Sequence, residues 1–128
     1  MKINSNGKQI FHICHKEEWI RAIQFGTYNG SSQDQADGFI HFSTGSQIKE
    51  SAKKHRAGQD QLLLLRVNSN NVYPGSLKWE TSRRGELFPH VYGALSIDCV
   101  IGVDSLTLGH DGHHRFPVDI MGMSEDEE

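Results

Sequence analysis

The chain has 128 residues, of which 36 % are hydrophobic and 23 % charged, with 13 glycines and a formal net charge of −3. That length suits a single domain that buries its own apolar surface without disulfide or metal staples. The charge balance excludes a general nucleic-acid binder, whose domain would be clearly basic. The acidic end Glu125-Asp126-Glu127-Glu128 supplies the negative excess, so the body before it is close to neutral. Cys14 and Cys99 lie in apolar runs outside any Cys-x-x-Cys pair and are expected as buried free thiols. With no signal pattern and no long apolar stretch, a cytoplasmic protein without a membrane segment is expected.

Residues 1–8 are polar and expected to be a flexible N-terminus. Gln9 to Cys14 predicts the first strand. Glu17 to Phe25 predicts a helix with Trp19, Ile20 and Ile23 on one stripe, and Gly26 stands where a C-terminal glycine cap belongs. Thr27 to Gly38, rich in Ser, Gln, Asp and Gly, reads as a loop long enough to carry function. Phe39 to Ser43 predicts a second strand. Thr44-Gly45-Ser46-Gln47 matches a capping box, so a helix is expected from Thr44 to about Arg56. Its lysines Lys49, Lys53 and Lys54, together with Arg56 and Arg83-Arg84, make a local basic stretch. It is either a solvated surface or an attractor for an anionic ligand.

Leu62 to Val67 is the most hydrophobic segment and reads as a central strand covered on both faces. Asn68 to Ser76 predicts a turn, Leu77 to Glu80 a short strand, and Arg83-Arg84-Gly85 a hairpin-like loop. Leu95, Ile97, Cys99, Ile101 and Val103 alternate, predicting one strand with one buried face. After Leu108 the pattern dissolves, so 109–128 is expected as a polar, disordered tail. His110, Asp111, His113 and His114 lie in it, and no metal site is expected there. The fold class is α+β, a single domain over 9–108 with two early helices.

Three histidines interrupt apolar runs: Phe11-His12-Ile13, Ile40-His41-Phe42 and Pro89-His90-Val91. A buried polar group without a partner costs roughly 1–3 kcal/mol by mutational data. Three such rings therefore suggest either one polar site sunk in an apolar body or three separately satisfied core residues. Alternation along the strands puts His12 with Ile10 and Cys14, and His41 with Phe39 and Ser43. Thr44 reads first as a helix cap and second as a ligand group. Gly85 to Gly93 adds Glu86, His90 and Tyr92 on a stretch stiffened by Pro89. No Rossmann or P-loop fingerprint and no Gly-x-Ser-x-Gly elbow occurs.

Ile10-Phe11-His12-Ile13-Cys14, Glu18-Trp19, Gly26-Thr27-Tyr28, Asp37 to Thr44, Trp79-Glu80 and Gly85 to Gly93 together resemble the domain of unknown function 952 family over about residues 9–106. More distantly, the strand ending in His, the helix closed by Gly and the strand ending in Ser-Thr are similar to the opening of ADP-ribosyltransferase-like proteins. That second resemblance implies split small β-sheets and a cleft that takes NAD as substrate. By it, His12 and Ser43 or Thr44 would bind the nucleotide, and Glu86, or less securely Glu80, would steady an oxocarbenium-like transition state; Tyr92 is a further candidate for binding it. His41 and His90 would join Glu86 as catalytic residues, although His41 and the Phe-Pro-His-Val-Tyr segment have no clear counterpart there. Charge developing on a sugar is well stabilised by a preorganised anion. The expected partner is a small nucleotide-like molecule, with neither nucleic acid nor membrane. The alternative is a non-catalytic module that binds a small anion, nucleotide or peptide in the same cleft.

Overall fold

The structure, a computed structural model, describes residues 8–82 and 84–121. Among these described residues, ten strands form three antiparallel sheets, in a mixed α/β arrangement. The largest has the order β10-β9-β5-β1-β4. Its members are β1 (Gln9–His15), β4 (Ser43–Thr44), β5 (Leu62–Asn68), β9 (Val100–Leu108) and β10 (His114–Arg115). A second sheet pairs β2 (Thr27–Tyr28) with β8 (Leu95–Ser96). The third has the order β3-β7-β6, from β3 (Ile40–His41), β6 (Leu77–Thr81) and β7 (Leu87–Val91).

Period-two alternation in β1 and β5 builds the core, because successive side chains go to opposite faces. Ile10, Cys14, Leu63, Leu65 and Val67 face one side, against Trp19 and Ala22 of α1 (Lys16–Phe25). Phe11, Ile13, Leu62 and Leu64 face the other, against Ile48 and Ala52 of α3 (Ile48–Arg56). The Leu62–Val67 run is central and covered on both faces, as its continuous hydrophobicity predicts. Helix α1 ends where expected: Gly26, at φ +90°, donates its N–H to the Ala22 carbonyl at 2.8 Å. Positive φ is open to glycine at little cost.

Four expectations need correction. The loop expected over 27–38 contains β2 and a short helix, α2 (Ser32–Asp37), capped by Ser31. The single strand expected over 39–43 is broken at buried Phe42, whose N–H reaches the Pro89 carbonyl, so β3 and β4 join different sheets. Thr44 is not a helix cap. It pairs with Ile10 in β4, its N–H donates to Gln47 Oε1 at 3.0 Å, and α3 begins only at Ile48. The strand expected over 95–103 is interrupted by a 3₁₀ turn at Ile97–Cys99, with the Ser96 hydroxyl accepting from Asp98 N–H. That turn resets the alternation, leaving Ile101 and Val103 half exposed.

The tail expectation also changes for 109–121. The turn after β9 returns the chain as β10, where buried His114 donates from Nε2 to the Gln59 carbonyl at 2.7 Å. A last short helix, α4 (Val118–Met121), places Ile120 in the Phe11 core, and Arg66 grips Asp119 at 2.6 and 3.3 Å. Residues 1–7 and 122–128, which hold most of the expected flexible N-terminus and the acidic end, lie outside the described residues.

Ile120 is 1 % exposed, so Ile120→Ala is expected to destabilise the fold by about 2–4 kcal/mol, within the range for buried aliphatic truncation. Urea unfolding checks this. A change below about 0.5 kcal/mol, the scale of an ordinary surface substitution, would return this segment to a dispensable tail.

Candidate functional site

The three-stranded sheet sends Ile40, Val91 and Leu77 into the core. Alternation therefore turns His41, His90, Lys78 and Glu80 to its other face. His41 and His90 stand directly opposite each other across β3 and β7, with ring centroids 5.5 Å apart. Glu80 lies diagonal to His90 across β6 and β7, and His90 donates from Nδ1 to Glu80 Oε1 at 2.7 Å. The Tyr92 hydroxyl donates to the same carboxylate, at 2.8 Å to Oε1 and 3.1 Å to Oε2. Phe39 covers the centre, stacked on His90 at 4.1 Å and touching His41 at 4.5 Å and Tyr92 at 5.3 Å.

Helix α2 supplies a second carboxylate from beneath. Ser31 and Asp34 cap each other reciprocally: Asp34 N–H donates to Ser31 Oγ at 3.1 Å, and Ser31 N–H to Asp34 Oδ2 at 2.8 Å. A side chain at Gly30 would put its Cβ 2.6 Å from Asp34 Cβ, so only glycine lets this turn close. Asp34 Oδ1 accepts from His41 twice, from the backbone N–H at 3.1 Å and from ring Nδ1 at 2.5 Å. Asp37, one turn on, faces Nε2 of the same ring at 3.1 Å.

His12 lies deepest, at 3 % exposure. Its Nδ1 is 2.6 Å from the His41 carbonyl, which can only accept, so Nδ1 carries the hydrogen. Nε2 is then the acceptor, and the Tyr28 hydroxyl donates to it at 2.7 Å. Cys14 lies beside Tyr28, which acts to lower its thiol against the effect of burial. Burial holds His12 below the usual imidazole range despite Asp34 Oδ2 at 3.6 Å, so the ring is neutral and the pair is no salt bridge. Burial likewise pushes the Cys14 thiol up to about 12 and the Tyr28 phenol upward.

For Asp34, burial acts to raise the carboxyl. The His41 ring hydrogen bond and the N–H donors of Ser31 and His41 outweigh it, bringing the group down to about 2. The His90 and Tyr92 hydrogen bonds lower Glu80. Beside Asp34 and Phe39 an open hollow of about 270 Å³ is also lined by Asn29, Gln35, Gly93 and Ala94.

His12, His41, His90 and Tyr92, sequence candidates from three distant stretches, are thus brought together. Ser43 is not: it pairs with Phe11 on the opposite face of the large sheet, with its hydroxyl 3.1 Å from Ser51 Oγ. Thr44 is buried in β4, its hydroxyl 3.2 Å from Ser46 Oγ, away from the cluster. Glu86 is exposed in the β6–β7 hairpin, whose turn is closed by Ser82 N–H on the Glu86 carbonyl. The carboxylates of the cluster are Glu80, Asp34 and, at its edge, Asp37. Asp34 escapes a pattern-based reading, although Ser31-Ser32-Gln33-Asp34 has the spacing of a reciprocal cap. Among the described residues, no group of three or more His, Cys, Asp or Glu is arranged to hold a metal ion. No helix among them is long and apolar enough to cross a membrane.

The chain belongs to the family described as "Protein of unknown function (DUF952)", whose model matches residues 13–103. That span includes Asp34, His41, Glu80 and His90. A solved relative is protein CC0527 from Caulobacter crescentus. Its crystal structure is 38 % identical, covering 89 % of this chain and 99 % of that one with a TM-score of 0.84. A double mutant of that protein gives the same values. Its solution NMR structure is 42 % identical, covering 82 % of this chain and 90 % of that one with a TM-score of 0.72. No curated protein matches this chain.

The pKa directions set the pH dependence of stability. Neutral buried His12 makes the unfolded chain the better proton binder below its ordinary value of 6.5, so stability declines as pH falls through that point. Asp34 contributes stability above its ordinary 3.8 that is lost as pH falls toward about 2. Tm measured against pH should therefore begin to fall near 6.5, with a second loss below 3.8. Asp34→Asn is expected to cost roughly 2 kcal/mol at pH 7. A flat profile between pH 7 and 5 would contradict the neutral assignment of His12.

Proposed function

We propose that this chain is a nucleotide-utilising transferase of ADP-ribosyltransferase-like type, with NAD as the substrate bound over the Phe39–His90 face. The observation that carries this reading is the environment of Glu80. His90 and Tyr92 hold its carboxylate from the neighbouring strand and keep it ionised, yet its side chain remains 37 % exposed. A fixed, accessible anion is the group such chemistry needs, because it stabilises positive charge developing on a ribose without reorganising at the moment of reaction. The role that family likeness suggested for Glu86 passes to Glu80. The Phe39 ring offers a flat surface for a planar base, and the adjoining hollow offers the Asn29 and Gln35 amides. Both nitrogens of His12 are already bonded within the protein, so it positions the site and does not bind ligand.

A second reading, binding without turnover, draws on one specific feature. Each Glu80 oxygen already has a protein donor, as a recognition surface with no chemistry would also have. One experiment separates the two. A ligand at 100 times its Kd adds about 2.7 kcal/mol of stability, so NAD or ADP-ribose should raise Tm by several degrees. In the transferase reading, Glu80→Gln keeps that shift and lowers turnover of NAD by about 10²–10³-fold, the scale of losing one electrostatic stabiliser. A shift without turnover in the unmodified protein selects the binding module. No shift with either compound at millimolar concentration removes both.

A further inference from the structure

The cluster contains a pairing that the transferase reading does not use. Asp34 is buried at 3 % exposure, while the His41 ring it holds is 42 % exposed. Both ring nitrogens of His41 face a carboxylate, Nδ1 the buried Asp34 at 2.5 Å and Nε2 the part-exposed Asp37 at 3.1 Å, and in the neutral ring the closer, buried one takes the single hydrogen. Nδ1–H is thereby fixed toward Asp34 Oδ1, and in the neutral ring Nε2 is left with a lone pair. The backbone reinforces the aim. His41 N–H is bound to the same Asp34 oxygen, and the His41 carbonyl is held by His12, so neither ring nor main chain is free to turn.

We infer that Asp34 and His41 form a general-base dyad, in which Asp34 is the positioning residue and His41 Nε2 takes a proton from the hydroxyl or water that acts as acceptor. This deepens the proposed function, on which it rests for the identity of the donor. In the transfer, the acceptor O–H bond breaks with its proton passing to Nε2. The oxygen's electron pair forms the new bond to the anomeric carbon, and the bond to the leaving base breaks with its pair staying on that base. The imidazolium formed faces Asp34 and Asp37 and then gives its proton to solvent. No oxidant or further reactant is needed.

The groups around His41 allow this. Asp37 faces Nε2 from the last residue of α2, but its side chain is 37 % exposed and its other oxygen is held by Gln33 at 3.0 Å. It stands at the mouth, where an acceptor hydroxyl would take its place. From β7 the facing group is His90, whose Nδ1 is committed to Glu80. Phe39 closes the remaining side with an apolar ring. A proton-accepting nitrogen thus sits across the sheet face from the carboxylate proposed to stabilise charge, as a transfer between bound donor and incoming acceptor requires.

The test reads the tautomer by NMR of ¹⁵N-labelled histidine across pH, in the ligand-free full chain. Once its ring is neutral, His41 is expected as the Nδ1–H form by about tenfold, because a charge-assisted hydrogen bond favours it. Asp34→Asn should reverse the preference toward Nε2–H, since the amide can place its NH₂ against Nδ1. Asp37→Asn, which removes the carboxylate facing Nε2, should raise the Nδ1–H share or leave it dominant. The inference is overturned by a neutral Nε2–H ring in the unmodified protein, by an unchanged tautomer ratio in Asp34→Asn, or by a ring that stays doubly protonated wherever the fold survives. If Asp34→Asn does not fold, the unmodified protein and Asp37→Asn decide alone. Since no nucleotide is present, failure here leaves the nucleotide-binding reading standing, and failure of NAD to bind leaves the dyad standing.

Discussion

Taking a carboxylate out of water costs several kcal/mol unless hydrogen bonds and opposite charge replace its hydration. At Asp34 that requirement shapes everything nearby. Ser31 N–H satisfies one oxygen, and the His41 main chain and ring satisfy the other, with His12 close behind. Each donor constrains a different element: the start of α2, the strand β3 and, through the His41 carbonyl, the strand β1. The glycine at 30 is the steric condition for this arrangement, since any Cβ there would collide with Asp34 itself.

The rest of the molecule supplies rigidity. Strand β1 is buried on both faces between β5 and β4, so His12 enters the site from the stiffest part of the protein. Burying a large aliphatic side chain contributes about 1.5–3 kcal/mol, and Ile10, Leu64, Leu65 and Val67 flank that histidine with no exposed surface at all. Precise positioning of a polar group is affordable only on such a scaffold. The small sheet carrying His41, His90 and Glu80 has one buried face and one open face, which is the geometry of a surface that meets a ligand.

Several elements could be read from the chain because local rules and tertiary packing agree there. Apolar periodicity and a terminal glycine announce α1, and an unbroken aliphatic run announces β5. The break at Phe42 was illegible, since an apolar run looks the same whether it crosses one sheet or passes between two. The phase reset after Ser96 hid in the same way, inside a sequence that alternates straight through a 3₁₀ turn. For the site, the three histidines stood out because imidazoles in apolar runs demand partners. The partners did not. Glu86 is nearer to His90 in sequence, but hairpin register puts Glu80 within reach, and cross-strand diagonals cannot be counted without knowing the turn. Asp34 sits in a polar stretch with no apolar periodicity, and its importance comes entirely from what folds over it.

His41 is where the buried and open halves of the site meet. Its carbonyl answers to His12, its N–H and one ring nitrogen to Asp34, and its ring lies against Phe39 and opposite His90. His12, Tyr28 and Cys14 are buried behind it, so their influence on any ligand passes through this residue and Asp34. A change at Tyr28, which donates to His12, would leave Nε2 of that buried ring without its donor, two hydrogen bonds away from the His41 carbonyl. The Glu80 side is anchored separately, by His90 and Tyr92 alone. The two sides meet at the Phe39 ring, the β3–β7 pairing and the edge contact of the His41 and His90 rings. Substitutions in the Asp34 network should therefore combine additively with those at Glu80 unless a ligand bridges the face. Departure from additivity on ligand binding would be the energetic mark of one site rather than two.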